Sequence, residues 1–146
     1  MTQVEALREI YRRDGGIITP AAVVAAAEPE DSPLHGVFCW DDTEAARLYR
    51  LDQAQRLIRR FAVKITDEKG RQFEVPMFVN LSVDRVGTKD ENPYRMTEDV
   101  AKCEDLLAVA VRDALEQLEA LRERYRHLKQ LDVIWRAIDE CKKKKR

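Results

Sequence analysis

The sequence predicts a mixed α+β protein, mostly helical, in which a small N-terminal helical domain with a β-hairpin precedes a long C-terminal helix. Three stretches carry that expectation. Residues 41–60, DDTEAARLYRLDQAQRLIRR, hold the period of one amphipathic helix. Residues 61–79 alternate apolar and polar positions on either side of Asp67-Glu68-Lys69-Gly70, the pattern of a hairpin. Residues 107–128 repeat apolar side chains at spacings of four and three, the seam of a coiled coil or a helical hairpin. These stretches set the boundaries. A helical domain with a hairpin wing covers 1–81, a linker 82–96, a long helical and dimerising region 97–140, and a basic tail 141–146.

In chain order, Thr2 to Arg13 reads as a first helix with Val4, Leu7, Ile10 and Tyr11 on one stripe. Gly15-Gly16 ends it, since glycine readily takes the left-handed conformation found at helix ends. Thr19-Pro20 opens a second helix over Ala21 to Glu28, with Thr as N-cap and Pro at the first helical position. The connection PEDSPLHG, 29–36, is longer than the turn of a plain helix-turn-helix, and the VFCW run after it reads as a short strand or, in preference, as a plug of the core by Phe38 and Trp40. Asp41, Asp42 or Thr43 then caps the third helix. Leu48, Leu51, Ala54, Leu57 and Ile58 are expected to face the core. Tyr49, Gln53, Arg56 and Arg60 are expected to face outward, with Arg47 and Arg50 nearer the packed side.

The hairpin follows directly, and Pro76, which lacks an N–H, marks an edge strand. Residues 82–92 are polar around Gly87 and read as a mobile connection. Thr97 is expected to cap a single helix running to about Leu128, with Glu98 and Asp99 at the end where the helix dipole favours acids. Its seam is Leu107, Val111, Ala114, Leu118, Leu121, Tyr125 and Leu128. Because the seam breaks near Leu131-Asp132 and a new stripe of Val133, Ile134, Ala137 and Ile138 begins, a further helix is expected from about Asp132.

Composition narrows the function. The chain has 146 residues, 45% hydrophobic and 36% charged, and a net charge of −1. That balance suits helices with wide solvated faces. The last five residues are all basic, so the rest of the chain carries −6, and any contact with nucleic acid must be local. No signal-peptide pattern follows Met1 and no apolar run approaches a membrane span, so the expectation is a cytoplasmic protein without a membrane partner. Cys39, Cys103 and Cys141 are scattered and fit reduced thiols. His35 and His127 lie in no catalytic or zinc-like pattern, and there is no phosphate-binding glycine loop, so neither catalysis, nor a metal, nor a cofactor is expected.

The segments GGIITPAAVVAAAEPEDSPLHGVFCWDDTEAARLYRLDQAQRLIRR, VPMFVNLS and LEALRERYRHLKQL resemble small uncharacterised proteins encoded by tailed phages and prophages. The resemblance spans most of the chain and is most specific at GG-x-x-TP, SPLH and WDD-x3-A-x2-YRL. It implies a protein of the infected bacterial cell that acts on phage or host nucleic acid or on a phage assembly, and it carries over no catalytic residue. From the residues themselves, an arginine-bearing helix followed by a hairpin is the order in which a winged helix presents its recognition helix and wing. The expectation is therefore a homodimer binding double-stranded DNA. Tyr49, Gln53, Arg56 and Arg60 would meet a groove, Lys64, Lys69 and Arg71 the backbone, and the Leu107–Leu128 seam would join two copies. The alternative is an assembly, scaffolding or host-interaction protein built on the same seam.

Overall fold

A computed structural model describes residues 1–40, 43–88 and 91–144. Helix α1 (Gln3–Arg13) opens on a capping box: the Glu5 N–H donates to Thr2 Oγ1 at 3.2 Å, and the Thr2 N–H donates to Glu5 Oε2 at 2.7 Å. Gly15 and Gly16 then take φ of +77° and +85°, a region that side chains resist, and turn the chain into Ile18. Helix α2 (Pro20–Ala27) starts at the Thr19 cap, whose Oγ1 accepts from the Ala22 N–H at 3.1 Å. Its small side chains allow close packing on α1 and on α3 (Glu44–Arg60). Of the three candidate caps of α3, Thr43 caps it, accepting from the Ala46 N–H at 3.1 Å; Asp41 and Asp42 lie outside the described residues. Leu7, Ile18, Val23, Leu34 and Ile58 form the fully enclosed centre of the core, with Phe38 buried and Trp40 half-buried beside it.

The hairpin forms as expected. Strand β1 (Ala62–Thr66) pairs antiparallel with β2 (Gln72–Pro76), with Val63 opposite Val75 and Ile65 opposite Phe73. Asp67 organises the turn, accepting the N–H groups of Lys69 and Arg71 and the Arg71 Nε at 2.9, 2.8 and 2.8 Å. Pairing with β1 ends at Pro76. The next residues, β3 (Phe78–Val79), turn to a different partner, β4 (Arg95–Met96). Beside this second small sheet, Ile18 and Tyr94 exchange backbone hydrogen bonds of 2.8 and 2.7 Å. The expected linker is thus divided. Asn80, Asp84 and Asn92 tie parts of 82–92 to their neighbours, while Pro93, Tyr94 and Met96 are buried in the N-terminal body.

The expected single helix from Thr97 is two helices. Thr97 does not cap; it is the first residue of α4 (Thr97–Lys102), its N–H donating to Met77 O at 2.9 Å and its hydroxyl to Pro76 O. Tyr11 donates to Asp99 at 2.8 Å, which fixes α4 on the body. Cys103 is extended and separates α4 from α5 (Glu104–Tyr125). A 3-10 turn at Lys129–Leu131 leads into α6 (Asp132–Lys143), which begins where the stripe predicts. Helix α6 folds back on α5 as a helical hairpin. Trp135 and Ile138 are buried, Arg122 binds Asp139 at 2.9 Å, and Lys142 binds Glu119 at 2.7 Å.

One acid docks α5 on the body. Asp113 is 8% exposed and accepts the Ser82 N–H at 2.8 Å together with the Ser82 hydroxyl. Burial pushes its carboxyl up, but the two Ser82 bonds and the nearby Arg85 and Arg112 outweigh this and hold it below the ordinary carboxylate range. Its contribution is therefore complete at neutral pH and is lost as pH falls through the depressed value. Asp113→Ala should lower the unfolding free energy by about 1–3 kcal/mol at pH 7, measured by urea titration, with the difference shrinking toward pH 3. A difference that stayed constant between the two pH values would contradict this role.

Candidate nucleic-acid interface

Helix α3 is held in place by the loop that precedes it. His35 Nδ1 lies 2.9 Å from Ala27 O and 3.1 Å from Glu28 O; carbonyls only accept, so this nitrogen carries the proton and ties the loop to the end of α2. The His35 ring stacks on Trp40 at 4.9 Å with 12° between planes, and Trp40 Nε1 donates to His35 O at 3.0 Å. Two side chains of α3 reach back to this loop. Arg50 donates to Cys39 O at 2.9 Å, its guanidinium 5.3 Å from the Trp40 ring centroid. Gln53 donates to Val37 O at 3.1 Å and accepts from the Cys39 N–H at 3.4 Å.

Gln53 is therefore a correction: it is a loop anchor, not an outward-facing reader. A helical wheel cannot show that residues 37–39 fold over that flank. Arg50 lies on the packed side, as expected. Leu48 is the opposite correction, since it stands 51% exposed beside Tyr49 at 50%. The buried residues of α3 are Leu51, Ala54, Leu57 and Ile58. At 3.6 residues per turn their centre lies about a third of a turn or more from Leu48, which joins Tyr49, Asp52, Arg56, Arg59 and Arg60 on the outer side.

The outer face is basic but partly paired. Arg56 binds Asp52 at 2.8 Å with its side chain still 74% exposed. Arg60 sits 6.0 Å from the Phe61 ring centroid, at the point where the chain enters β1. Arg47, set aside by the sequence reading, is exposed and pairs with Glu44 at 3.2 Å. Arg59, which the sequence reading did not single out, is exposed and borders a groove of about 700 Å³ between the body and α5. On the hairpin, Lys64 is exposed opposite Glu74 and Lys69 is exposed in the turn. Arg71 is held by Asp67 at 2.8 Å and lies 5.6 Å from the Phe73 centroid. Desolvation raises the Asp67 carboxyl, yet the bonds from Arg71 and Lys69 hold it below its usual range, so this ion pair persists at neutral pH.

The seam residues from Leu107 to Tyr125 share one side of α5, but the helix stops at Tyr125, short of the expected Leu128, which is extended and precedes the 3-10 turn. Leu107, Val111, Leu121, Tyr125 and Leu128 are 39–43% exposed, Ala114 is exposed and Leu118 is half-buried. In the tail, Lys142 engages Glu119 and Lys143 approaches Glu140 at 3.5 Å, while Lys145 and Arg146 lie outside the described residues. The three cysteines are free and exposed. Among the described residues no group of three or more His, Cys, Asp or Glu side chains could hold a metal ion, and no helix is long and apolar enough to cross a membrane. Comparisons of the chain with protein-family models, with curated proteins and with solved structures return no match.

Proposed function

We propose that the chain is a non-catalytic, winged-helix-like DNA-binding protein that acts as a pair joined through α5. The outer face of α3 carries the reading: Arg56, Arg59 and Arg60 face outward with only Asp52 among them, in a chain whose net charge is −1. A rigid helix bearing planar guanidinium groups suits phosphate oxygens and guanine edges, and Tyr49 with Leu48 offers apolar contact to a thymine methyl. Lys64 and Lys69 on the hairpin add contacts to the backbone. Each phosphate neutralised should steepen the salt dependence by about 0.9 in log–log slope. Charge reversal of Arg56 and Arg60 to Glu should weaken retention of long duplex DNA at least tenfold at low salt and flatten that slope. A chain that fails to shift long duplex DNA at low salt and micromolar protein ends this reading.

A second reading is favoured by one observation, the exposed Leu48–Tyr49 pair beside the arginines. An apolar contact rimmed by cations also suits an acidic protein surface, as an assembly or host-interaction factor would need. Leu48→Ala with Tyr49→Ala would then abolish a protein complex while leaving DNA retention unchanged.

A further inference from the structure

The seam on α5 is uncovered because α6 docks on a different side of the helix. Glu119 and Arg122 mark the edge that meets α6, and the centre of the seam lies roughly 100° around α5 from them. On α6, Trp135 and Ile138 point inward, while Ile134 is 49% exposed. In an antiparallel hairpin, helical phase puts Ile134, Ala137 and Cys141 on the same side as the seam. The second half of α5 and α6 thus share one apolar side, and the seam runs on through Leu107 and Ala114 along the rim of the groove between α5 and the body.

We propose that a second copy of this chain covers that side, with the two α5 helices running antiparallel and each α6 flanking the C-terminal half of its own α5. The charges beside the seam select both the occupant and its direction. In the first half the flanking positions are Ala108, Ala110, Leu115 and Gln117, all uncharged, preceded by Glu104 and Asp105. In the second half they are Arg122, which Asp139 and Glu119 hold on the α6 side, and Arg124, with Lys129 following in the turn beyond the helix. A parallel pair sets Arg124 beside the partner's Lys129 and Glu104 beside the partner's Glu104, so both ends repel. An antiparallel pair sets each basic half against the uncharged half of the other copy and brings Glu104 to the partner's Arg124 and the partner's Lys129. The helix dipole alone explains acids and cations only in the first and last turns, whereas the uncharged flank extends to mid-helix. This inference rests on pairing through α5 but not on DNA, and it is tested without DNA.

The test uses the full chain in which Cys39, Cys103 and Cys141 are replaced by Ser, with circular dichroism confirming its helices. Light scattering after gel filtration should show a dimer at micromolar concentration. On oxidation, Leu107→Cys mixed with Tyr125→Cys should give the mixed disulfide dimer, and neither variant alone should cross-link. Glu104→Lys should weaken the dimer about tenfold, since a two-fold contact is lost twice, and adding Lys129→Glu should restore it. A monomer at 0.1 mM, efficient self-cross-linking of Leu107→Cys, or indifference to both charge reversals would each overturn the proposal. A dimer that assembles as stated but ignores DNA would end the DNA reading and leave this one standing.

Discussion

A chain carrying Leu34→Ala is expected to unfold at markedly lower urea, having lost about 2–5 kcal/mol of stability. Leu34 has no exposed surface and packs in the central cluster with Leu7, Ile18, Val23 and Ile58. It is also the apolar anchor of a connection otherwise held by polar contacts, with its own N–H on Ser32 Oγ at 3.3 Å and the neighbouring His35 on the end of α2. Removing its branched end leaves a cavity that a loop stapled on both sides cannot close, which places the cost in the upper part of that range. The control is Val83→Ala, 58% exposed, for which a change within about 0.5 kcal/mol is expected. A Leu34→Ala loss below about 1 kcal/mol would mean that the connection is not seated in the core. Such seating also predicts a functional symptom, because Val37 and Cys39 in that connection hold Gln53 and Arg50 of α3.

Tyr94→Ala should be comparably severe, at about 3–5 kcal/mol, whereas Tyr94→Phe should cost no more than about 1 kcal/mol. The ring is 4% exposed within the same cluster, while its hydroxyl only accepts a 3.3 Å hydrogen bond from Gln55 Nε2. The two backbone bonds to Ile18 survive either change. The contrast between the two variants separates the packing of the ring from the bridge and from the hydroxyl. Equal losses in Ala and Phe would show that the hydroxyl contact dominates, contrary to its length.

What the sequence made legible was local. The Thr19 cap, the glycine stop, the hairpin about Asp67–Gly70 and the restart of helix at Asp132 all follow from chemistry acting over a few residues, and each is present. What it hid were contacts between distant residues. Gln53 has the phase of a surface position until the 37–39 strip folds onto it. Asp113 looks like one more charge on a charged helix until Ser82, thirty-one positions earlier, turns toward it. The break at Cys103 carries no Gly or Pro signal; α4 and α5 are held to the body by separate bonds, at Asp99 and Asp113, and one straight helix would have to satisfy both. Of the expected site, Tyr49, Arg56, Arg60, Lys64 and Lys69 are accessible because outward phase on a long helix or a hairpin is itself a local property.

The bridge between Ile18 and Tyr94 bears on how the protein is made. A chain synthesised from its N-terminus produces α1, α2, α3 and the hairpin well before the residues that complete their body. At ribosomal speeds, adding the stretch from Asn80 to Met96 takes about one to three seconds. Throughout that interval the backbone of Ile18 and the strand edge at Phe78 lack the partners that Tyr94 and Met96 later provide. An open edge of this kind can pair with another nascent chain. The N-terminal body is therefore not finished as it emerges; it is closed from behind, by a segment that arrives after its core residues have been made.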